Sequence, residues 1–390
     1  MSLFWQEIKK IWRPGILTAI LVLSGMLYYV QSFDYVERMM NEEYVISFSV
    51  LEELFQRCGP AVDRSEWPIL QEVIDREKKV FAGYLAENPD AVAAGVTTWE
   101  ELEAYTKESG DLSLDRWAYR SKTTNCYTVF KLEQFQEWCK TVTDWSKEGW
   151  EAWMFGFYPP QWQQRILELE ERWAEEGKPL LYALDTSYLE LYFAKHLPMT
   201  NVLCVILLLS PALVRDRLRR MRSLQWSSRR GRKVLRTQLA AGFASAGVLV
   251  AVNTAVYTAI MLSTGVNSFL DCPISGRNWF GWTMGQYILS LIVLAALTGL
   301  AAAGLTLFLS CHTGNYAAML FKAILLHLAV GWWFTVEIMQ FSPFGSLRPW
   351  GGSDFIFVPP AAVYICVGAL LAAGWGLCLW TCVRQRRREL

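Results

Sequence analysis

The sequence predicts an all-α membrane protein, with six transmembrane helices and a mainly helical extracytoplasmic domain inserted between the first and the second. Three observations predict it. Hydrophobic residues make up 53 % of the 390 and charged ones only 19 %, the profile of a chain that uses lipid as a solvent. Six long apolar runs occur, and crossing about 30 Å of hydrocarbon takes roughly 20 such residues. The cations collect in three groups that fall on one side of a six-span layout, and loops rich in Lys and Arg stay in the cytoplasm.

Residues 1–14 are a cytoplasmic amphipathic segment, "FWQEIKKIW", carrying Lys9, Lys10 and Arg13. The first span, 15–32, follows. Its basic flank is like that of a secretory signal, but "YYVQSF" offers no small-x-small cleavage site, so it is read as an uncleaved anchor.

Residues 33–197 are chain enough for a small domain. Acids dominate in "NEEY", "WEELEAY" and "ILELEERWAEEG", and nine tryptophans run from Trp67 to Trp173. Helical periodicity outweighs strand alternation. Thr98 and Glu101 form a capping box for "WEELEAYTKE"; Pro159 and Pro160 open "QWQQRILELEERWAEE", which Gly177 closes just before Pro179. The first helix of the domain is expected to run out of span one, and "DTSYLELYFAKHL" to lead into span two. The tryptophans suit a small helical core and an interfacial belt, or an aromatic groove for an apolar or peptidic ligand. The excess of acid favours cationic partners.

Span two, 198–214, is the shortest run, and the basic loop 215–238 follows it. Span three is 239–262, and an outer loop, 263–284, leads to span four, 285–310. A cytoplasmic turn, 311–315, opens span five, 316–339. The outer loop 340–360, "QFSPFGSLRPWGGSDFIFVPP", is rich in Pro, Gly and aromatics, and either floats free or re-enters the interface. Span six, 361–383, ends in a basic tail, 384–390. Both termini are therefore cytoplasmic in a multi-pass protein of the cell membrane.

The stretch "DRLRRMRSLQWSSRRGRKVLR", read in isolation, is a polyphosphate-binding patch. A formal net charge of zero over the chain, and apolar spans on both sides, turn that reading away from nucleic acid. Its cations serve topology and anionic headgroups.

The order of residues in this loop carries a resemblance. Asp216 lies just inside the membrane; Met221 and Leu224 are about one turn apart; Ser227 and Ser228 lead to Gly231 and Arg232. The pattern resembles that of ABC-2 type permeases, the membrane subunits of one class of ATP-binding cassette exporters. The six spans, the amphipathic N-terminal segment and the long outer domain after span one are similar to that family too. Asp216 stands where the family usually has Glu, and Gln238 where it often has Lys.

The resemblance implies a coupling helix seated in a groove of a separate ABC-type ATPase. Met221, Leu224 and Trp226 would anchor there, while Arg219, Arg222 and Arg229 meet acidic rims. No Gly-x-x-x-x-Gly-Lys-Ser/Thr loop occurs in the chain, so ATP and Mg belong to the partner ATPase and this chain is expected to bind no cofactor. The expected working unit pairs the chain with a second permease copy or a related permease, plus two ATPases. Its substrate would be amphipathic: a peptide antibiotic, a lipid or a hydrophobic drug.

Within the spans, Asn253, Gln286, His327 and Glu337 are costly against lipid and are expected to face protein or water. Lys322 can snorkel to the inner surface. Gly247, Ala251, Ala255 and Ala259 on span three, and Ala295, Gly299 and Ala303 on span four, are stripes of small residues that permit close helix approach. Either stripe suits a seam between two copies, or packing within one bundle.

Nine cysteines without a CxxC or Cys/His spacing imply no metal site, and Cys58, Cys126 and Cys139 leave outer disulfide pairing open. Three histidines, no HExxH and no catalytic triad spacing speak against a membrane-embedded enzyme. The competing reading is a membrane sensor or scaffold whose acidic domain binds a cationic or peptidic ligand without transport.

Overall fold

The computed structural model describes residues 3–40, 46–110, 112–120, 124–140, 156–180, 191–218, 234–274, 280–335, 346–349, 355–359 and 362–387. Six helices among them are long and apolar enough to cross a membrane: Pro14–Ser32, Tyr192–Leu218, Val234–Leu262, Met284–Cys311, Tyr316–Phe334 and Ala362–Arg384. They alternate in direction. One end of the bundle, here the base, gathers residues 14, 218, 234, 311 and 316; the other, the head end, bears the segment between spans one and two.

At the base, α1 (Leu3–Ile11) precedes α2 (Pro14–Leu27), whose start fits Pro14 because an N-terminal turn needs no amide donor there. A π-helical turn, Tyr28–Ser32, continues it into α3 (Phe33–Met40), so the first helix does run out of span one as far as Met40.

Span two is the central helix. A π-helical turn, Leu191–His196, runs into α11 (Leu197–Leu218), 72 % of whose most apolar stretch is buried, against 11 % for span one. It extends beyond 198–214 at both ends, because Tyr192, His196, Arg215 and Asp216, which lower its hydropathy, all find protein partners. Pro211 lies inside α11. The neighbouring Ser310 hydroxyl donates to the Ser210 carbonyl at 3.0 Å and accepts from the Leu213 amide at 3.3 Å, which ties the backbone on either side of the proline to span four.

Span three is α12 (Val234–Leu262), span four α13 (Met284–Cys311), span five α14 (Tyr316–Leu326) with a π-helical continuation His327–Phe334, and span six α15 (Ala362–Arg387). The tightest crossing joins spans four and six. A Cβ placed on Gly304 would lie 2.7 Å from the Gly374 backbone, and one on Gly374 would lie 2.9 Å from the Ala301 carbonyl oxygen.

The head is helical: α4 (Phe48–Cys58), α5 (Trp67–Glu87), α6 (Pro89–Ala94), α7 (Trp99–Ser109), α8 (Ser113–Arg120), α9 (Cys126–Lys140) and α10 (Pro160–Glu176). The expected capping box opens α7, with the Glu101 amide donating to Thr98 Oγ1 at 3.2 Å and the Thr98 amide to Glu101 Oε2 at 3.1 Å. Gly177 ends α10 with φ of 95°, and a Cβ there would meet the Val62 backbone at 2.9 Å. That close approach lets β1 (Ala61–Val62) pair antiparallel with β2 (Lys178–Pro179).

Two cores hold the head. The distal one is centred on Phe81, Leu85, Trp99, Leu102, Cys126 and Val129. The other is shared with the bundle: Leu51, Leu54, Leu70, Ile74 and Phe135 pack in one cluster with Tyr192 and Leu197 of span two, Tyr257 and Met261 of span three, and Tyr287 and Leu291 of span four. The 263–283 connection contributes Phe269, whose ring lies 6.2 Å from Phe48 and 6.3 Å from Phe55. Trp99 is thus a core residue, and Trp67, Trp138 and Trp162 are partly buried against the shared core.

Strand among the described residues is confined to the short β1–β2 pair and one other pair. Within 340–360 the chain forms an antiparallel hairpin, β3 (Ser346–Pro349) with β4 (Phe355–Val358), in register Ser346↔Val358 to Pro349↔Phe355. The aromatic and β-branched run "FIFV" favours extended backbone. Cys58, Cys126 and Cys139 are all free thiols. Burial pushes Cys58 up to about 11 and Cys139 up to about 12.

Candidate functional site

The base of the bundle concentrates charge where α1, span two and span three meet. Helix α1 is amphipathic, and Phe4, Ile8 and Ile11 pack into the base core with Leu235 and Leu239 of span three. On the same inward side Glu7 is buried, and Lys10 reaches across its carboxylate, Nζ to Oε1 at 2.7 Å. Trp5 faces outward, 56 % exposed.

Asp216 is the focus of this junction. It is buried near the end of α11, where an unpartnered carboxylate is expensive. Its Oδ2 accepts from Gln238 Nε2 of span three at 2.7 Å and from Lys10 Nζ of α1 at 3.3 Å. The flanking arginines brace the same place. Arg215 donates to the Lys10 carbonyl at 2.9 Å, satisfying an open acceptor at the end of α1. Arg217 donates to the Cys311 carbonyl at the end of span four. One turn of α11 therefore grips α1, span three and span four.

Of the residues expected to meet an ATPase, Asp216 alone falls within the described structure. Arg219, Met221, Arg222, Leu224, Trp226, Ser227, Ser228, Arg229, Gly231 and Arg232 lie outside the described residues, as does Glu337. The connection that bears them leaves Leu218 and returns at Val234, immediately beside the Asp216 junction.

The intramembrane polar residues do not converge. Asn253 of span three lies beside the Cys204 thiol of span two, which also contacts Ser24 of span one at 3.1 Å. Gln286 is exposed and works at the head end of span four, where it forms a capping box with Thr283: its side chain accepts from the Thr283 amide at 3.1 Å. As the third residue of its helix it serves as a cap. His327 packs against Gly331 of its own span, which Val202 of span two also approaches, and its Nδ1 has no hydrogen bond. Lys322 reaches toward the base, its ammonium donating to Thr313 at 3.1 Å beside the 312–315 turn.

The small-residue stripes part company. On span four, Ala295, Gly299 and Ala303 are buried inside the single bundle; a Cβ on Gly299 would meet Val250 at 2.8 Å and Asn201 at 3.2 Å. On span three, Ala251, Ala255 and Ala259 are exposed, and a Cβ on Gly247 would meet nothing within 4 Å. Only the second stripe is open to lipid or another chain.

A polar cluster absent from the sequence reading joins spans one, two and three near the head. Tyr192 donates to the Tyr257 carbonyl at 3.0 Å, Thr200 and Tyr257 share a hydroxyl contact at 3.1 Å, and Ser32 meets His196 Nδ1 at 3.4 Å. Tyr28 lies edge-on to the Tyr257 ring, 5.7 Å between centroids. The signal was present as the four-residue spacing of Tyr192, His196 and Thr200; starting span two at 198 hid it.

No family of known proteins matches the chain, and neither a curated protein nor a solved structure is significantly similar to it. No group of three or more metal-ligating side chains occurs among the described residues.

Proposed function

We propose that the chain is the permease subunit of an ATP-binding cassette exporter, moving an amphipathic substrate across the cell membrane with a separate ATPase. The observation that supports this reading is the Asp216 junction, which ties α1, span two and span three together at the root of the 219–233 connection. The basic, amphipathic composition of that connection suits a coupling helix. A force applied to it by a closing ATPase dimer passes through Asp216 into three elements at once. The lipid-facing sides of spans one and five, with Leu21, Met26 and Val30 exposed on one and Phe321, Ile324 and Trp332 on the other, leave room for a second copy in the working unit.

The test is gentle purification from native membranes followed by mass spectrometry, wild type beside a Met221→Asp, Leu224→Asp variant. An ABC-type ATPase that accompanies the wild type and is lost from the variant is the expected result. If no ATPase accompanies either, the exporter reading fails and a sensor or scaffold takes its place.

A further inference from the structure

Spans four and six meet at the base in a short stack of rings. Span four ends at Cys311, and His312 is its C-cap. The His312 imidazole lies between two rings, 4.5 Å from that of Phe308 and 6.2 Å from that of Trp380 on span six, the latter nearly parallel at 22°. A cation rests on the same indole, with the Arg384 guanidinium carbon 5.1 Å from its centre. Trp380 thus holds both an imidazole and a guanidinium.

What each group offers follows from the bonds it makes. A carbonyl oxygen can only accept, so the 2.9 Å contact between His312 Nδ1 and the Phe308 carbonyl puts the proton of the neutral ring on Nδ1. Nε2 is then an acceptor. Arg384 makes no hydrogen bond or ion pair among the described residues, so its N–H donors are open. A guanidinium held on a ring has its donor plane set in advance, and loses less freedom when it grips two oxygens of a phosphate.

The setting is the end of two spans. Arg384 closes Ala362–Arg384, and His312 directly follows Met284–Cys311. His312, Trp380 and Arg384 are all exposed, and so are Leu379 and Val383 beside Trp380 on span six. Tryptophan is favoured at headgroup depth, with apolar side chains continuing into the acyl region.

With every charge counted, the segments at the base, 1–14, 215–238 and 384–390, carry 17 bases and 3 acids. Two of the acids, Glu7 and Asp216, are buried at the α1 junction and bound by Lys10. The third, Glu389, lies outside the described residues and directly follows Arg386, Arg387 and Arg388. The field at this end of the bundle therefore favours an anion.

We propose that the stack binds one anionic phospholipid whose headgroup also carries a hydroxyl, phosphatidylglycerol being the simplest. Arg384 takes the phosphate, His312 Nε2 accepts from the headgroup hydroxyl, and the acyl chains lie along Leu379 and Val383. The site rests on the six spans alone and would stand if the exporter reading failed.

The experiment is native mass spectrometry of the purified full-length protein in detergent, titrated with short-chain phosphatidylglycerol. Phosphatidylmethanol keeps the charge without the hydroxyls, and phosphatidylcholine has no net charge. Phosphatidylglycerol should bind tightest and phosphatidylcholine weakest. Arg384→Gln should weaken phosphatidylglycerol at least about tenfold, as loss of hydrogen bonds to a charged group does. His312→Phe, which keeps a ring in the stack, should abolish the preference over phosphatidylmethanol. Arg236, an exposed arginine of span three at the same end, separates a built site from general attraction: Arg236→Gln should leave the affinity unchanged. All three variants alter exposed side chains and should melt with the wild type. The proposal is overturned if phosphatidylglycerol binds no tighter than either comparator, if Arg384→Gln melts normally and binds as the wild type does, or if Arg236→Gln weakens binding as much.

Discussion

Gln238 and Asp216, 22 positions apart on successive spans, are joined side chain to side chain at 2.7 Å in a buried setting. The cation that the carboxylate needs comes from Lys10 of α1.

Replacing Asp216 by Ala should therefore strand the Gln238 amide and loosen α1, costing about 1–3 kcal/mol. Lys10→Ala leaves a buried carboxylate with only the amide and should also destabilise; Asp216→Asn, which keeps the shape and drops the charge, should cost less. Thermal unfolding in detergent measures all three. Equal stability of Asp216→Ala and wild type would remove the junction from any account of coupling.

Tyr257→Phe removes the hydroxyl contact with Thr200 and leaves the ring packing against Tyr28 and Tyr192. Hydrogen bonds between membrane helices average about 0.6 kcal/mol and reach about 1.7. A loss in that range is expected, with Tyr192→Phe similar, since its hydroxyl donates to the Tyr257 carbonyl. Unfolding in graded detergent mixtures reads the difference.

The crossing of spans four and six tolerates no side chain at Gly304 or Gly374. Gly374→Leu should force the helices apart at a cost of about 1–3 kcal/mol or more, while a bulky substitution at Gly247, where nothing lies within 4 Å, should be nearly neutral in the monomer. Monodispersity after extraction and heating separates the two; if Gly247→Leu alone collapses, the open stripe is covered in the native assembly.

Acid should weaken the head. Burial pushes the Glu53 carboxyl up, but hydrogen bonds and charge from Arg76 and Arg57 outweigh this and leave it below its ordinary value. Hydrogen bonding to Arg57 lowers Glu72, and hydrogen bonding to Lys78 lowers Glu100. Carboxyls depressed in the folded state stabilise it above their unfolded values, about pH 4.3 for Glu, and lose that contribution as pH falls through the folded values. The thermal midpoint should be level from about pH 5.5 to 8 and decline below about 4.5. Because the pairs are partly exposed, the decline should shrink with salt.

The spans were readable because a helix in lipid must be apolar for its whole length, and six runs were. Their ends were harder. Span two reaches Tyr192 and Leu218 because protein partners, rather than water, satisfy its terminal polar groups, and a hydropathy pattern sees the groups without the partners. The capping box at Thr98 and the stop at Gly177 were legible because both are local. The same kind of box, Thr283 to Gln286, also stood in the sequence, but the apolar run after it drew the eye first. The β3–β4 hairpin was missed because Pro and Gly in 340–360 drew attention away from "FIFV". Which small-residue stripe faces inward is a question of rotation about a helix axis, and nothing along the chain encodes it directly.

The head and the spans share one core, in which Leu51, Leu70 and Phe135 touch the same cluster as Tyr257, Tyr287 and Leu291. The head is thus no pendant on a tether: its lower core is continuous with the ends of spans two, three and four. Any tilt of span three against span four has to repack it, and cutting it away would leave the tops of those helices as raw apolar stumps.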